Sequence, residues 1–215
     1  MVSIVEASGA GTPYNHYVID IESGAETARL IEQDYLFTQA MGGLFPEQLD
    51  LTHVERMLDI GCGPGAWVNN VAFAYRDIQV VGIDSNRTMV SFARSMARVQ
   101  GLENAEFNVM DARRPLAFED QSFSLVNGRF LASFLDQACW PCLVTECKRV
   151  LTPGGILRLT ECEVGISNCP ALQRLNNALY QALRKQGRTM LLDMLQDDFT
   201  CVSFGLIAWG KLPAS

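Results

Sequence analysis

What the chain is short of narrows it first. It has no unbroken apolar run of about 18 residues, and its opening "MVSIVEASGAGTPYN" lacks both a basic and an apolar region. Neither a membrane span nor a secretory leader is expected, so the chain reads as soluble and cytoplasmic, with no membrane partner. Basic residues are in deficit, with Lys+Arg 17 against Asp+Glu 24 and a net charge of -7. Such a chain repels phosphate backbones, which argues against a nucleic-acid partner. Histidines number only two, His16 and His53, so general-base chemistry has few candidates. No internal repeat or low-complexity tract appears. The seven cysteines, at 62, 139, 142, 147, 162, 169 and 201, are an odd count without a secretion signal and read as buried reduced thiols rather than disulfides.

What is present is a core. A chain of 215 residues that is 48% hydrophobic and 19% charged buries a full interior as one domain. Apolar runs alternate with helical spacing. "VERMLDI" (54–60), "IQVVGID" (78–84), "AEFNVMD" (105–111), "FSLVNGRF" (123–130) and "GGILRLTEC" (154–162) read as strands, whereas 66–76, 87–100 and 141–151 read as helices. This β-α-β-α order, with strands apolar on both faces, predicts an α/β fold built on a parallel sheet covered by helices on each side. Ahead of it, "ESGAETARLIEQDYLFTQAM" (22–41) reads as an amphipathic helix outside any βα unit and is a candidate lid.

In such a sheet ligands bind beyond the carboxyl ends of the strands. The first strand runs into Gly61-Cys62-Gly63-Pro64-Gly65 and then a helix. Glycines there let a ligand approach the backbone, and the helix start favours a negative group. Asp84 ends the second strand, 19 positions beyond Gly65, an offset at which a carboxylate accepts hydrogen bonds from ribose hydroxyls; it also reads as an N-cap of the next helix, since "DSNRTM" opens one. Asp111 ends the third strand, where it reads an adenine edge. Together the three ends outline a site for an adenosine.

At this point the sequence resembles the class I, Rossmann-like, S-adenosylmethionine-dependent methyltransferases, from about Val54 to Thr160. "LDIGCGPG" is similar to the family's first motif, "VVGIDSN" to its ribose-binding loop and "NVMDARRPL" to its adenine-binding segment; "FSLVNGRF" and "RVLTPGGILRLTE" are similar to the fourth strand and the turn into the fifth. The resemblance implies a doubly wound sheet, mostly parallel with an antiparallel last strand. It implies residues 1–50 as a helical cap and 51–215 as the cofactor-binding domain. S-adenosylmethionine would be the cofactor and S-adenosylhomocysteine its product. Gly61, Cys62 and Gly63 would lie against the methionine part, Asp59 would orient its amino group, Asp84 with Ser85 would hold the ribose, Met89 would pack on the adenine, and Met110, Asp111 and Ala112 would frame its rim. Asn127, at the end of the fourth strand, would face the sulfonium and the acceptor. Tyr17 would bind the cofactor carboxylate, and His16, in "PYNHYVID", is the candidate base. Arg129 would steady a substrate carboxylate, with Phe130, Glu161 and Glu163 also near the acceptor; a surface arginine is the plain alternative for Arg129.

The expected reaction is a metal-independent transfer of methyl to an oxygen, nitrogen or carbon of a small-molecule acceptor, by a monomer or homodimer. An NAD-dependent oxidoreductase and a non-catalytic S-adenosylmethionine-binding protein are the rival readings. "CWPC" (139–142) has the C-x-x-C form of a redox pair but lacks thioredoxin-like surroundings, and with Cys147 it makes only three thiols, so neither redox nor zinc chemistry is expected. Between Cys162 and Asp198 one helix (171–187) is legible and no sixth strand, which leaves either a trimmed fold or a join across an absent segment. The stretch 198–213 reads as the final strand.

Overall fold

The computed structural model describes residues 24–161, the helical residues Arg174, Ala178, Gln181 and Lys185, and strand residues 200–202 and 207–211. The chain runs α1 (Gly24–Ala40), β1 (Arg56–Ile60), α2 (Ala66–Ala74), β2 (Gln79–Asp84), α3 (Arg87–Val99), β3 (Ala105–Val109), β4 (Phe123–Arg129), α4 (Trp140–Val150), β5 (Leu151–Thr160), β6 (Thr200–Val202) and β7 (Ile207–Lys211). The strands form one sheet in the order β3-β2-β1-β4-β5-β7-β6. The first five are parallel, β7 pairs antiparallel with β5, and β6 pairs antiparallel with β7. The stretch 198–213 thus carries two strands where one is legible. Strand β6 has three residues, too few to display an alternation. The four residues described between 174 and 185 agree with a helix over 171–187.

Both faces of the sheet are covered, as apolar-on-both-faces strands require. Leu58, Ile60, Val126, Leu157 and Leu159 pack with Trp140, Leu143, Cys147 and Val150 of α4. On the opposite face Met57, Leu125 and Ile156 pack with Val68, Val71 and Ala72 of α2 and Val90, Ala93 and Ala97 of α3. Buried Asn104 secures the α2 end by donating to the carbonyls of Ala72, Tyr75 and Ile78 at 3.0, 3.1 and 2.9 Å, satisfying acceptors that a helix terminus otherwise leaves open. Helix α3 is capped by Asn86, whose Oδ1 accepts from the Thr88 and Met89 amides. The cap expected of Asp84 therefore falls two residues later, because Asp84 is already engaged by backbone ahead of the helix. Cys62, Cys139, Cys142 and Cys147 are free; Cys62 and Cys147 are buried, but Cys139 is half-buried and Cys142 exposed, since they lie at the N-cap and on the first turn of α4.

The order of strands reverses between β1 and β4, and the crevice at their carboxyl ends is roofed by α1. Phe37 stacks against Phe130 with ring centroids 4.8 Å apart, Arg129 pairs with Asp34, and the Thr27 hydroxyl points at Met89 Sδ at 3.8 Å. This helix buries Glu26 and Asp34 while exposing Tyr35 and Leu36, so its inward face is the acidic one. That pattern suits a helix that roofs a polar crevice.

Two glycines of the first loop test how the loop is built. A Cβ on Gly65 would lie 2.6 Å from Ala93 Cβ and 2.7 Å from the Phe107 ring at φ +78°, whereas a Cβ on Gly63 would meet nothing within 4 Å at φ +52°. Overpacking costs about 1–3 kcal/mol and a left-handed non-glycine about 1–2 kcal/mol. Gly65→Ala should therefore lose about 2–5 kcal/mol in urea unfolding and Gly63→Ala only about 1–2 kcal/mol. Equal losses would mean that the Gly65 packing does not matter.

Candidate functional site

A pocket of about 390 Å³ opens at the carboxyl ends of β1, β2 and β4 beneath α1, within the range of about 300–1,000 Å³ typical of small-molecule sites. The loop after β1 brings Gly61, Cys62 and Gly63 to its wall, the end of β2 brings Asp84 and Ser85, α3 brings Met89, the segment after β3 brings Met110, Asp111 and Ala112, and Asp59 and Arg129 also line it. These are eleven of the fourteen site residues expected from sequence. His16 and Tyr17 lie outside the described residues, as does Glu163. The exposed His53 sits ahead of β1, away from this end of the sheet.

The loop is held by its own charges. Asp84 Oδ2 accepts from the Gly63 amide at 2.9 Å and Oδ1 from the Asn86 amide at 2.8 Å. Burial raises its pKa, and these two amides pull it back. Gly61 is required by a close approach, since its φ is +67° and a Cβ there would lie 3.1 Å from the Phe134 ring. Gly63 instead presents bare backbone to open pocket. The Cys62 thiol is buried, with its pKa pushed up by burial and by the neighbouring Asp84 and Asp59 carboxylates, which makes it a wall and not a nucleophile.

Asn127 corrects the sequence reading. It is the fifth residue of β4, not its end, and it is fully buried. Its Nδ2 donates to Asp59 Oδ1 at 2.6 Å and its Oδ1 accepts from Arg158 at 2.7 Å. The side chain thus lies behind Asp59 and not in the pocket, because the alternation along β4 turns it across the sheet toward its register partners. Glu161 is corrected too: it is buried below the loop, accepts from the Ala132 amide at 3.2 Å, and burial pushes its carboxyl up to about 8 against the pull of the Ala132 and Leu131 amides. It ties down the short 3₁₀ turn Leu131–Ser133 instead of facing an acceptor. Arg129 does line the pocket, but its Nη2 is paired with Asp34, so the chain's own cap supplies the carboxylate expected from a substrate. Its guanidinium also lies 5.6 Å from the Trp67 ring centre.

The α1 contribution, Arg29, Leu30, Gln33 and Asp34, was not legible in the sequence, nor were Trp67, Arg113 and Phe134. A helix outside the βα units announces a lid but not which turn faces inward. Three buried polar atoms at this wall, Asp34 Oδ2, Arg129 Nε and Trp67 Nε1, lack hydrogen-bond partners among the described residues. Among the described residues no group of three or more His, Cys, Asp or Glu is placed to hold a metal ion, and no helix is long and apolar enough to cross a membrane.

Fold and crevice define an α/β domain of the Rossmann type. Residues 57–155 match the methyltransferase domain family. The chain is 42% identical over 85 residues to the aklanonic acid methyltransferase DauC of Streptomyces sp. (strain C5), which covers 39% of this chain and 38% of that one. It is 31% identical over 119 residues to the methyltransferase GfsG of Streptomyces halstedii, covering 54% and 40%. A solved S-adenosylmethionine-dependent methyltransferase from Aquifex aeolicus superposes with a TM-score of 0.62 at 15% identity, over 90% of this chain and 99% of that one. An O-methyltransferase family protein from Burkholderia thailandensis gives 0.67 at 14% identity, over 88% and 59%. The chain shares the fold of class I, Rossmann-like methyltransferases, and its residues 57–155 are similar to the methyltransferase domain family. It spans about two fifths of the length of both Streptomyces relatives.

The Asp59 carboxyl generates a prediction. Burial raises its pKa from 3.8 to about 6, against the pull of Arg129 and of the Asn127 hydrogen bond. The folded protein therefore keeps a proton that the unfolded chain releases between about pH 4 and 6, and stability falls as pH rises through that window. Ionised Asp59 costs up to about 3 kcal/mol at pH 8. Asp59→Asn should be more stable than the parent by roughly that amount in urea unfolding at pH 8 and by little near pH 4. The same offset at both pH values would refute the assignment.

Proposed function

We propose that this domain binds S-adenosylmethionine and transfers its methyl group to a nucleophilic oxygen, nitrogen or carbon of a small-molecule acceptor, releasing S-adenosylhomocysteine. The observation that carries the reading is the convergence of three successive strand ends on one pocket: a glycine turn with exposed backbone after β1, the Asp84 carboxylate after β2, and Met110–Ala112 after β3. The residues fit an adenosine with a charged tail. Gly63 leaves room for backbone approach, Asp59 Oδ2 takes no hydrogen bond among the described residues, and Asp84 has lone pairs left beside its two amide contacts.

When bound, S-adenosylmethionine supplies a methyl already activated on a positively charged sulfur. The chain's part is then to bind, align and dehydrate. In this reading Gly61 and Gly63 take the tail, Asp59 takes its ammonium, Asp84 and Ser85 the ribose, and Met89, Met110, Asp111 and Ala112 the base. Tyr17 and His16 belong to the segment 1–50, read here as a cap over the domain 51–215, with Tyr17 on the cofactor carboxylate. A base such as His16 is needed only where the acceptor holds a proton tightly.

The basic side chains that line the pocket are matched by the chain's own carboxylates. Arg29 chelates Glu26 at 2.6 and 2.7 Å, Arg113 chelates Asp111 at 2.9 Å through both nitrogens, and Arg129 pairs with Asp34. With each of these cations matched by a carboxylate and with Leu30, Trp67, Phe130 and Phe134 between them, the wall favours an uncharged, partly apolar acceptor over a strongly anionic one. Several curated relatives are named as small-molecule methyltransferases, among them an ajmaline N-methyltransferase of Rauvolfia serpentina, which agrees with this class.

Calorimetric titration with S-adenosylmethionine, S-adenosylhomocysteine and NAD tests the cofactor. The first two should bind, and Asp84→Ala should weaken both by roughly tenfold or more, the scale of hydrogen bonds to a charged group. Transfer of labelled methyl to a panel of phenols, amines and carboxylic acids should then favour the uncharged members. Binding of NAD alone would sink the methyltransferase reading, and cofactor binding without transfer to any acceptor would favour a non-catalytic binding protein.

A further inference from the structure

Behind the pocket a row of buried polar side chains crosses the sheet, and of its members only Asp59 lines the pocket. Asp59, Asn127 and Arg158 are register partners on β1, β4 and β5, so all three point to the same face. Arg158 is fully buried. Its Nη1 donates to Asn127 Oδ1 at 2.7 Å and its Nε is paired with Glu47, whose side chain is equally sealed from solvent. Asn127 Nδ2 in turn donates to Asp59 Oδ1 at 2.6 Å. An amide oxygen cannot donate and a guanidinium cannot accept, so Arg158 fixes which way the Asn127 carboxamide lies. The amide hydrogen is thereby directed at Asp59, and Asp59 Oδ2 is left for the pocket.

We propose that Glu47, Arg158 and Asn127 are positioning residues: they form a polarised relay that holds Asp59 ionised and oriented toward the cationic end of the bound ligand. The relay rests on the cofactor reading above only for the identity of that ligand. Glu47 has a definite part, since it sets a negative charge against Arg158, so that within the relay Asp59 meets the oriented Asn127 amide rather than the guanidinium itself. The groups that face Asp59 are Asn127 and Arg129 of β4, Arg158 of β5, Asp34 of α1 and the Cys62 thiol in the loop after β1. Arg129 attracts Asp59 from the pocket side but is itself claimed by Asp34. The relay is thus the support for Asp59 that a ligand does not touch.

The test reads the Asp59 carboxyl itself, by carbon-13 NMR titration of the ligand-free protein, alongside S-adenosylhomocysteine affinity from pH 5 to 8.5. In the parent protein the carboxyl should titrate at about 6, and affinity should fall roughly tenfold per pH unit below that point. Asn127→Leu and Arg158→Met remove the oriented donor, so the midpoint should rise by about one unit, a tenfold change at acid pH, while affinity at pH 8.5 stays within about threefold. Glu47→Gln keeps the shape and the hydrogen bond to Arg158 but removes the offsetting charge, so the midpoint should move the other way, downward. Opposite shifts from two neighbours in one chain of contacts are not produced by loosened packing. Glu47→Gln also carries the test should Arg158→Met fail to fold. A midpoint unmoved in Glu47→Gln and Asn127→Leu, with affinity lowered uniformly across pH, would overturn the relay. Failure of the parent to bind S-adenosylhomocysteine at any pH would count against the cofactor reading instead, and the NMR midpoints would still decide the relay.

Discussion

The structure turns on a polar row inside a sheet that is otherwise dry. Parallel strands covered on both faces carry apolar side chains, yet β1, β4 and β5 each place a polar residue, Asp59, Asn127 and Arg158, towards the carboxyl end, and the three meet in register. None of them is tolerable alone, because an unpaired buried charge or amide costs several kcal/mol. A one-residue slip of any strand would turn its member of the row to the opposite face and strand the other two. The row therefore ties the register of the sheet to the placement of the one carboxylate that meets the pocket from behind. Buried ion pairs are weak sources of stability compared with apolar packing, so the reason for this one is sought in what it does to Asp59.

The loop and the cap complete what the row begins. Gly61 yields to Phe134, Gly65 to Ala93 and Phe107, and Gly82 to Phe107 and Cys62, where an added Cβ would lie 2.8 and 2.9 Å from its neighbours. Gly63 alone among these would place an added Cβ in open space. The cluster of glycines in the first loop thus answers two different demands, close packing of helix and strand below and bare backbone above. Helix α1 then closes the crevice through charge as much as through apolar contact. The Asp34–Arg129 pair and the Phe37–Phe130 stack join it to the end of β4, so the wall nearest a bound tail and the lid above it share the same residues.

How much of this could be read from the chain follows from the range of each signal. The five parallel strands, their helices and the pocket residues at the strand ends were legible because each rests on a local pattern: apolar runs of strand length, glycines before a helix, an acid at a fixed offset. Asn127 was misplaced because its direction depends on its register with β1 and β5, which no local pattern carries. Arg158 carries a legible signal of its own. An arginine between Leu157 and Leu159 in a strand buried on both faces demands a partner, and Asn127 stands at the matching level of the neighbouring strand. Asp34 and Glu47 were out of reach, since they come from α1 and the connection that follows it, where spacing implies no depth. Strand β6 failed by brevity alone.

The energetics of Asp59 explain why such a device is worth keeping in a small domain. Ionised Asp59 sits where burial opposes its charge, so without a counter-ion the site works against folding by up to about 3 kcal/mol at neutral pH and above. A cationic group beside Oδ2 removes that penalty, and the relief appears as ligand affinity and as a gain in stability on binding. Simply neutralising the carboxyl would stabilise the free protein and forfeit the attraction, the exchange of stability for function expected at a binding site. The relay holds the intermediate position. It lowers the cost of the charge enough for Asp59 to be ionised near neutral pH, yet leaves enough of it unpaid that a ligand of the right charge still completes the structure.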